Sequence, residues 1–194
     1  YRALVKEEPE SDRYNLLLGA ALLRQNDLSG AKTHIAKALS VNPNLLRARL
    51  LMADLHFRNK DFIIAKADTE QVLKSQPDHY AANLLMGRLL TIELKFKSAE
   101  KIYEKMIKRF PGQPEAYYRL GILKRLQKKP DAAFDLFSTA VNIEPYHMAA
   151  FTGLVSLYMD KKESAAALQK CKDHLELISK SKGAQALVHY HMGN

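Results

Sequence analysis

The sequence is poor in residues that build covalent or metal-based frameworks. Its 194 residues include one cysteine, no tryptophan, eight glycines and seven prolines. A single cysteine excludes an internal disulfide framework and a zinc site made of several cysteines. No apolar run approaches the roughly 18 to 20 residues that a transmembrane helix needs. No leader with a cleavage site is visible, and the first residue is Tyr1. We therefore expect a soluble chain whose natural N-terminus lies upstream, with its compartment open between cytoplasm and periplasm.

Hydrophobic residues and positive charge are abundant. Hydrophobic residues make up 47% of the chain, which is too high a fraction for a disordered sequence. Length alone suggests one domain of ordinary size or two small ones. The formal net charge is +9, so acidic partners are plausible.

Internal repeats dominate the sequence. Five of the seven prolines stand 34 residues apart, at Pro9, Pro43, Pro77, Pro111 and Pro145. An alanine series has the same period, at Ala31, Ala65, Ala99, Ala133 and Ala167. A third series consists of small residues, at Gly19, Ala53, Gly87 and Gly121, and is broken by Val155. Several series in phase indicate a repeated structural unit of 34 residues.

Each repeat has the pattern of two amphipathic helices. In residues 12–45, apolar residues recur at helical three- and four-residue steps in two stripes, and Asp27 is a candidate N-cap between them. Pro43 ends the second stripe, while Pro114 and Pro130 fit first helical positions, where a missing N–H costs nothing. Because one helix pair cannot bury its apolar face alone, neighbouring repeats must stack. The predicted fold class is all-α, an α-solenoid of antiparallel helix pairs.

The motif inside the repeats resembles the tetratricopeptide repeat (TPR) family. The fourth repeat matches the family pattern nearly completely, at Tyr117, Leu120, Gly121, Ala133, Phe137, Ala140 and Pro145. The second repeat is weaker, because Arg49 and Thr69 stand where the pattern has aromatic residues. The resemblance implies a right-handed TPR superhelix whose first helices line a concave groove that holds a partner peptide.

The repeat boundaries follow from the period. Four complete repeats are predicted at 12–45, 46–79, 80–113 and 114–147, and a divergent fifth at 148–181. Residues 1–11 are predicted to end a preceding repeat and 182–194 to begin a further one. We therefore expect the chain to be a segment of a longer array.

Groove-facing positions follow from the resemblance by their offset within each repeat. The candidate partner-binding residues are Arg13, Leu16, Arg24, Arg47, Leu50, Asp54, Arg58, Leu84, Arg88, Tyr118, Arg119, Ile122 and Arg125. Eight of the ten arginines lie in first helices, whereas lysine populates second helices and turns. Because guanidinium binds carboxylate through two parallel hydrogen bonds, this segregation predicts a groove for an acidic, partly apolar segment. A structural reading also stands, in which the arginines lie over their own helices or pair with Asp54 and Glu115.

Two other functions compete with peptide binding. A pI near 9.5 favours non-specific binding of the nucleic-acid backbone through lysine. Sequence-specific RNA reading of the pentatricopeptide type is disfavoured, because those repeats have a period of 35 residues and the corresponding groove positions here are leucines. The chain also has the texture of long bacterial TPR proteins that accompany exopolysaccharide or protein-sorting systems, which suggests a self-assembling scaffold. Of the lysine, asparagine and arginine positions with which chaperone-binding TPR domains hold a C-terminal carboxylate, only the arginine position is matched, at Arg119, so binding of a chaperone tail is not expected.

Enzyme chemistry has little support in the sequence. Cys171 and His174 lie one helical turn apart, but they occupy packing positions of a second helix. His189 and His191 are two residues apart and point to different faces of a helix, which suits a metal poorly. No glycine-rich phosphate loop is present. We expect no catalytic site, no metal, no cofactor and no small-molecule substrate.

Overall fold

The computed structural model describes residues 1–160 together with Ala165, Leu168, Gln169, Lys172, Asp173 and Glu176. Regular structure over this part of the chain is helical and includes no strand. The chain divides into two compact units, Tyr1–Glu93 and Leu94–Asn194. The predicted all-α repeat fold class is confirmed. The second half of the predicted fifth repeat and residues 182–194 fall outside the description, apart from the six positions just named.

Unit 1 contains six helices. They are α1 (Arg2–Glu7), α2 (Asp12–Arg24), α3 (Leu28–Val41), α4 (Leu46–Arg58), α5 (Phe62–Ser75) and α6 (Tyr80–Ile92). Each helix packs against the next one along the chain, and α2 also contacts α4 directly. The first helices of neighbouring repeats therefore lie side by side in this unit.

Unit 2 contains four helices within its described part. They are α7 (Phe96–Arg109), α8 (Pro114–Leu126), α9 (Pro130–Ile143) and α10 (Met148–Asp160). Consecutive helices again pack together, and α8 contacts α10. Across both units the first helices begin at residues 12, 46, 80, 114 and 148, the period of the proline series.

The helix ends follow local sequence signals. The Asp27 carboxylate accepts a hydrogen bond of 2.9 Å from the Gly30 N–H at the start of α3, as a capping residue should. Pro114 and Pro130 are the first residues of α8 and α9. In the four repeats over 12–147, the inner turn uses one residue with positive φ, at Asn26, Lys60, Leu94 and Lys128.

Small residues let the helices approach closely. A Cβ added to Gly19 of α2 would lie 2.7 Å from Cγ1 of Ile35 on α3. In unit 2, Cβ atoms added to Gly121 and Gly153 would lie 2.6 and 2.9 Å from the Phe137 ring. Phe137 is therefore held between α8 and α10 by two glycines. The alanines at 31, 65, 99 and 133 are fully buried at the helix crossings.

The second repeat replaces its missing aromatic residues with polar contacts. Asp68 on α5 accepts from His56 Nδ1 at 3.0 Å, and its other oxygen lies 3.5 Å from Arg49 Nη1. Thr69 is fully buried and donates its hydroxyl to the Ala65 carbonyl oxygen at 2.6 Å. Arg49 and His56 of α4 are thus joined to α5 through Asp68, while the Thr69 hydroxyl is satisfied within α5.

Candidate functional site

Four arginines occupy matching positions on two neighbouring first helices of unit 1. Eleven residues of α-helix make about three turns and about 16 Å of rise. Arg13 and Arg24 therefore lie on one face of α2. The same spacing places Arg47 and Arg58 on one face of α4. The intervening residues on these faces follow at helical steps. We define the arginine face as Arg13, Leu17, Ala20 and Arg24 of α2 with Arg47, Leu51, Asp54 and Arg58 of α4.

One side chain fixes the register between the two helices. Arg58 donates from Nε to the Asp54 carboxylate at 2.9 Å and from Nη1 to the Leu23 carbonyl oxygen at 3.1 Å. Leu23 precedes Arg24, so the C-terminal ends of α2 and α4 lie side by side. Arg13 and Arg47 stand at the matching positions in the first turns of α2 and α4.

Three of the four arginines are not neutralised by any residue that the structure describes. Arg13, Arg24 and Arg47 are exposed, and none makes a hydrogen bond or ion pair with the residues that the structure describes. Arg58 is the exception, because Asp54 neutralises it. The arginine face therefore carries unpaired guanidinium groups at both ends.

The predicted apolar floor of the face needs one correction. Leu16 is only 6% exposed and belongs to the core of unit 1, because its face of α2 points towards the buried cluster with Leu18 and Leu22. It is not a surface residue. Leu50 and Leu84 are half-buried, and Leu50 packs against the cluster around Ala53 and Leu85. The half-buried leucines on the arginine face itself are Leu17 and Leu51.

Arg88 of α6 adds a cation–π contact to unit 1. Its guanidinium carbon lies 4.1 Å from the centre of the Phe57 ring. Phe57 also meets Phe62 edge to face, with ring centres 5.5 Å apart. The contacts join α6 to the end of α4 and cover one face of the Phe57 ring.

In unit 2 the equivalent side chains are held by internal contacts. Arg119 donates to the Glu115 carboxylate at 2.7 Å, and the other Glu115 oxygen lies 3.0 Å from His147 Nε2. His147 Nδ1 accepts from the Ala150 N–H at 3.1 Å, so Nε2 carries the proton and donates to Glu115. Tyr118 packs on the His147 ring at 5.0 Å between ring centres.

The remaining two predicted residues of unit 2 are also engaged. Arg125 donates to the Ser156 hydroxyl on α10 at 2.8 Å. Ile122 is half-buried and packs against the core cluster around Phe137. The structure thus places Tyr118, Ile122 and Arg125 in contacts that α8 makes with other parts of unit 2, and it pairs Arg119 with Glu115 within α8.

The charge balance of the first helices differs accordingly. The helices α2, α4 and α6 together contain six arginines and two acidic residues, Asp12 and Asp54. The helices α8 and α10 together contain three basic residues and two acidic residues, Glu115 and Asp160. Unit 1 therefore holds most of the unbalanced positive charge on first helices.

Lys66 and Glu100 occupy the same repeat position in α5 and α7, and each makes an ion pair with the helix that follows or with its C-cap. In unit 1, Lys66 of α5 binds both carboxylate oxygens of Glu93, at 2.9 and 3.0 Å. In unit 2, Glu100 of α7 accepts from Lys124 and from the Gln127 amide. The hydrogen bond from Lys124 is the main cause that lowers the pKa of Glu100 below its ordinary value.

Two predicted absences can be set against the described residues. Within that part of the chain, no three His, Cys, Asp or Glu side chains cluster as metal ligands would. No helix there combines the length and apolarity needed to cross a bilayer. Cys171, His174, His189 and His191 lie outside the described residues.

Comparisons with solved structures agree on the fold. TTC0263, a thermophilic TPR protein of Thermus thermophilus, is 16% identical, with a TM-score of 0.74 over 95% of this chain and 100% of that one. PilF of Pseudomonas aeruginosa is 17% identical, with a TM-score of 0.72 over 85% and 75% of the two chains. A chain of the APC/C hetero-tetramer Cut9–Hcn1 is 19% identical, with a TM-score of 0.79 over 98% of this chain but 39% of that one.

Sequence comparison identifies the family. No curated protein sequence gives a significant match. A family model described as the TT21 fifth ARM repeats domain matches residues 46–159, which is more than half of the chain. The TPR resemblance predicted from the motif within the repeats is confirmed by the solved structures, and the chain belongs to the TT21 fifth ARM repeats domain family.

Proposed function

We propose that this chain is a non-catalytic protein-interaction module that binds an acidic, partly apolar segment of a partner protein on the arginine face of unit 1. The observation that carries the proposal is the set of three exposed, unpaired guanidinium groups on adjacent first helices. Guanidinium groups bind carboxylates through paired, charge-assisted hydrogen bonds. Arg13 and Arg47 at one end and Arg24 at the other suit acidic side chains separated by about 16 Å.

The residues between the arginines favour a polypeptide over a nucleic acid. Leu17, Ala20 and Leu51 are half-buried and offer apolar contact area to a side chain of the partner. Single-stranded nucleic acid is bound by aromatic platforms on which bases stack. The Phe57 ring, next to Arg58 in the sequence, already has one face covered by Arg88. An acidic peptide with apolar residues between its carboxylates therefore complements the surface best.

A charge reversal with a matched control tests the proposal. The variant Arg13→Glu with Arg47→Glu places acids in the first turns of α2 and α4, where the helix dipole favours them, so folding should be preserved. The control Lys32→Glu with Lys74→Glu changes the net charge equally at exposed, unpaired positions of α3 and α5. Binding of a fluorescent peptide that alternates glutamate and leucine is then measured at two salt concentrations.

The two variants should separate site binding from general attraction. We expect the arginine variant to weaken peptide binding by at least about tenfold and the lysine control to change it little. Equal losses in both variants would show attraction to net charge and contradict the site. Absence of peptide binding with steeply salt-dependent binding of a random RNA oligonucleotide would replace the proposal with nucleic-acid binding.

A further inference from the structure

The first turn of α5 exposes two adjacent isoleucines. Ile63 is 87% exposed and Ile64 is 51% exposed, and Ile63 is the most exposed of the large apolar side chains in the described part of the chain. They line an open cavity of about 400 Å³ with Lys60, Asp61 and Phe62. Burial of exposed aliphatic surface is favourable by about 25 cal/mol per Å². Covering this turn would therefore be favourable.

The fold does not require apolar residues at these two positions. The corresponding positions of the other second helices hold Ser29 and Gly30 in α3, Lys97 and Ser98 in α7, and Asp131 and Ala132 in α9. Those helices begin equally well with polar or small residues. The isoleucine pair is therefore a local property of α5 and not part of the repeat pattern.

Two opposite charges beside the isoleucines are left without partners. The side chains of Lys60 and Asp61 make no hydrogen bond or ion pair with any described residue. Asp61 is the N-cap of α5 but does not cap with its side chain, whereas the equivalent Asp27 caps α3. The turn that carries them is held by backbone hydrogen bonds from Lys60 N to Phe57 O at 3.1 Å and from Asp61 N to His56 O at 2.8 Å.

We propose that Lys60, Asp61, Ile63 and Ile64 form a self-complementary surface through which two copies of this chain associate. A twofold interface brings the same patch of both copies together. Each lysine can then meet the aspartate of the other copy, while the isoleucines pack against each other between the two ion pairs. One lysine beside one aspartate matches its own copy better than it matches a strongly charged partner. The proposal is independent of the arginine face, which lies on α2 and α4.

Sedimentation equilibrium of the chain over a range of concentrations tests the association. The wild-type chain should show a dimer that increases with concentration. The variant Ile63→Lys with Ile64→Ser carries the residues that α7 has at these positions, so it should fold normally by circular dichroism. We expect its dimer dissociation constant to rise by at least about tenfold, because the apolar centre of the contact is lost.

Exchange of the two charges tests the twofold geometry itself. In the variant Lys60→Asp, each copy has aspartate at both positions, so the two copies repel each other at this surface. In the variant Asp61→Lys, each copy has lysine at both positions, with the same consequence. Either single variant should weaken the dimer. The double variant Lys60→Asp with Asp61→Lys restores opposite charges across the twofold axis and should recover dimerisation. Lys95 and Lys129 stand at the Asp61 position in α7 and α9, so this helix start tolerates lysine.

Two results would overturn the proposal. One is a wild-type chain that stays monomeric at every concentration reached. The other is a dimer that neither the isoleucine variant nor the single charge variants weaken, since such a dimer would use another surface. Peptide binding at the arginine face should be unchanged in all of these variants.

Discussion

The two units share one repeat pattern but treat the arginines of their first helices differently. In unit 1, Arg13, Arg24 and Arg47 are exposed and unpaired among the described residues. In unit 2, Arg119 is held by Glu115 and Arg125 by Ser156. Glu115 occupies the position within its repeat at which unit 1 has Arg13 and Arg47. One acid at that register is thus enough to engage a neighbouring guanidinium and a histidine.

The difference teaches that a basic repeat surface is informative only when its internal acids are counted. An arginine with a carboxylate four residues away on its own helix has an intrahelical partner. Arg58 with Asp54 and Arg119 with Glu115 follow this rule. Arg13, Arg24 and Arg47 have no acid at that spacing. Among the first helices that the structure describes, the arginines without a hydrogen bond or ion pair therefore lie on α2 and α4.

The largest expected effect concerns the packing that supports the first helices of unit 2. Gly121→Ala would force a Cβ to within 2.6 Å of the fully buried Phe137 ring, on which Tyr118 also packs. The overpacking should exceed the gain in helix propensity and lower the free energy of unfolding by about 2 kcal/mol. Urea denaturation measures it. Gly112→Ala, with no atom within 4 Å of the new Cβ, is the control. Equal stability of the two variants would contradict the packing role.

The next prediction concerns the acidic residues that pair with arginines on the first helices. Glu115→Gln removes the charge that holds Arg119 and His147, and should destabilise the chain by about 1 to 2 kcal/mol while it frees a guanidinium in unit 2. Asp54→Asn should free Arg58 in unit 1 at a smaller cost in stability, because that pair is more exposed. Both variants should bind the acidic peptide more tightly in a fluorescence titration. Unchanged affinity in both would show that internal acids do not limit the available charge.

A third effect compares the same turn in both units. Leu94 has φ of 58° in unit 2, whereas unit 1 has Asn26 at φ of 60°. Leucine in this region is strained by its Cβ, and asparagine tolerates it. Leu94→Asn should raise the free energy of unfolding by about 1 kcal/mol, and Asn26→Leu should lower it by a similar amount. Thermal denaturation of both variants checks the prediction, and a destabilised Leu94→Asn would refute it.

The smallest expected effect concerns the ion pair between Glu100 and Lys124 in unit 2. Because the pKa of Glu100 is lowered in the folded chain, its pair with Lys124 contributes stability above the ordinary carboxyl pKa. That contribution is lost as the pH falls through the lowered value. Glu100→Gln should therefore cost less than about 1 kcal/mol at neutral pH and nothing in acid. Glu104→Gln, an exposed position of α7, is the control. A gap that persists in acid would contradict the electrostatic origin.

The repeat architecture is predictable from sequence because its causes are local and periodic. The proline and alanine series, the Asp27 cap and the first-turn prolines all act within a few residues of where they stand. The close approach at Gly19 follows from its place in the small-residue series. Even the isoleucine pair at Ile63 is visible once the repeats are aligned, because the other repeats are polar or small there.

The state of each candidate residue depends on contacts that a repeat offset does not contain. Leu16 and Leu50 share an offset, yet Leu16 is buried and Leu50 is only half-buried. Arg58 reaches a backbone carbonyl thirty-five positions away in the sequence, and Arg88 lies over a ring from another helix. Such contacts depend on the distance between helices and on side-chain rotamers. Sequence therefore identified the arginines as a group but not which of them are free.

Nuclear magnetic resonance of the arginine side chains tests the central claim most directly. The Nε–H signals of the labelled chain are recorded while the peptide of alternating glutamate and leucine is added. We predict large shifts for Arg13, Arg24 and Arg47 and little change for Arg119 and Arg125. Shifts that are equal in the two units, or confined to unit 2, would contradict a binding face built from the free arginines of unit 1.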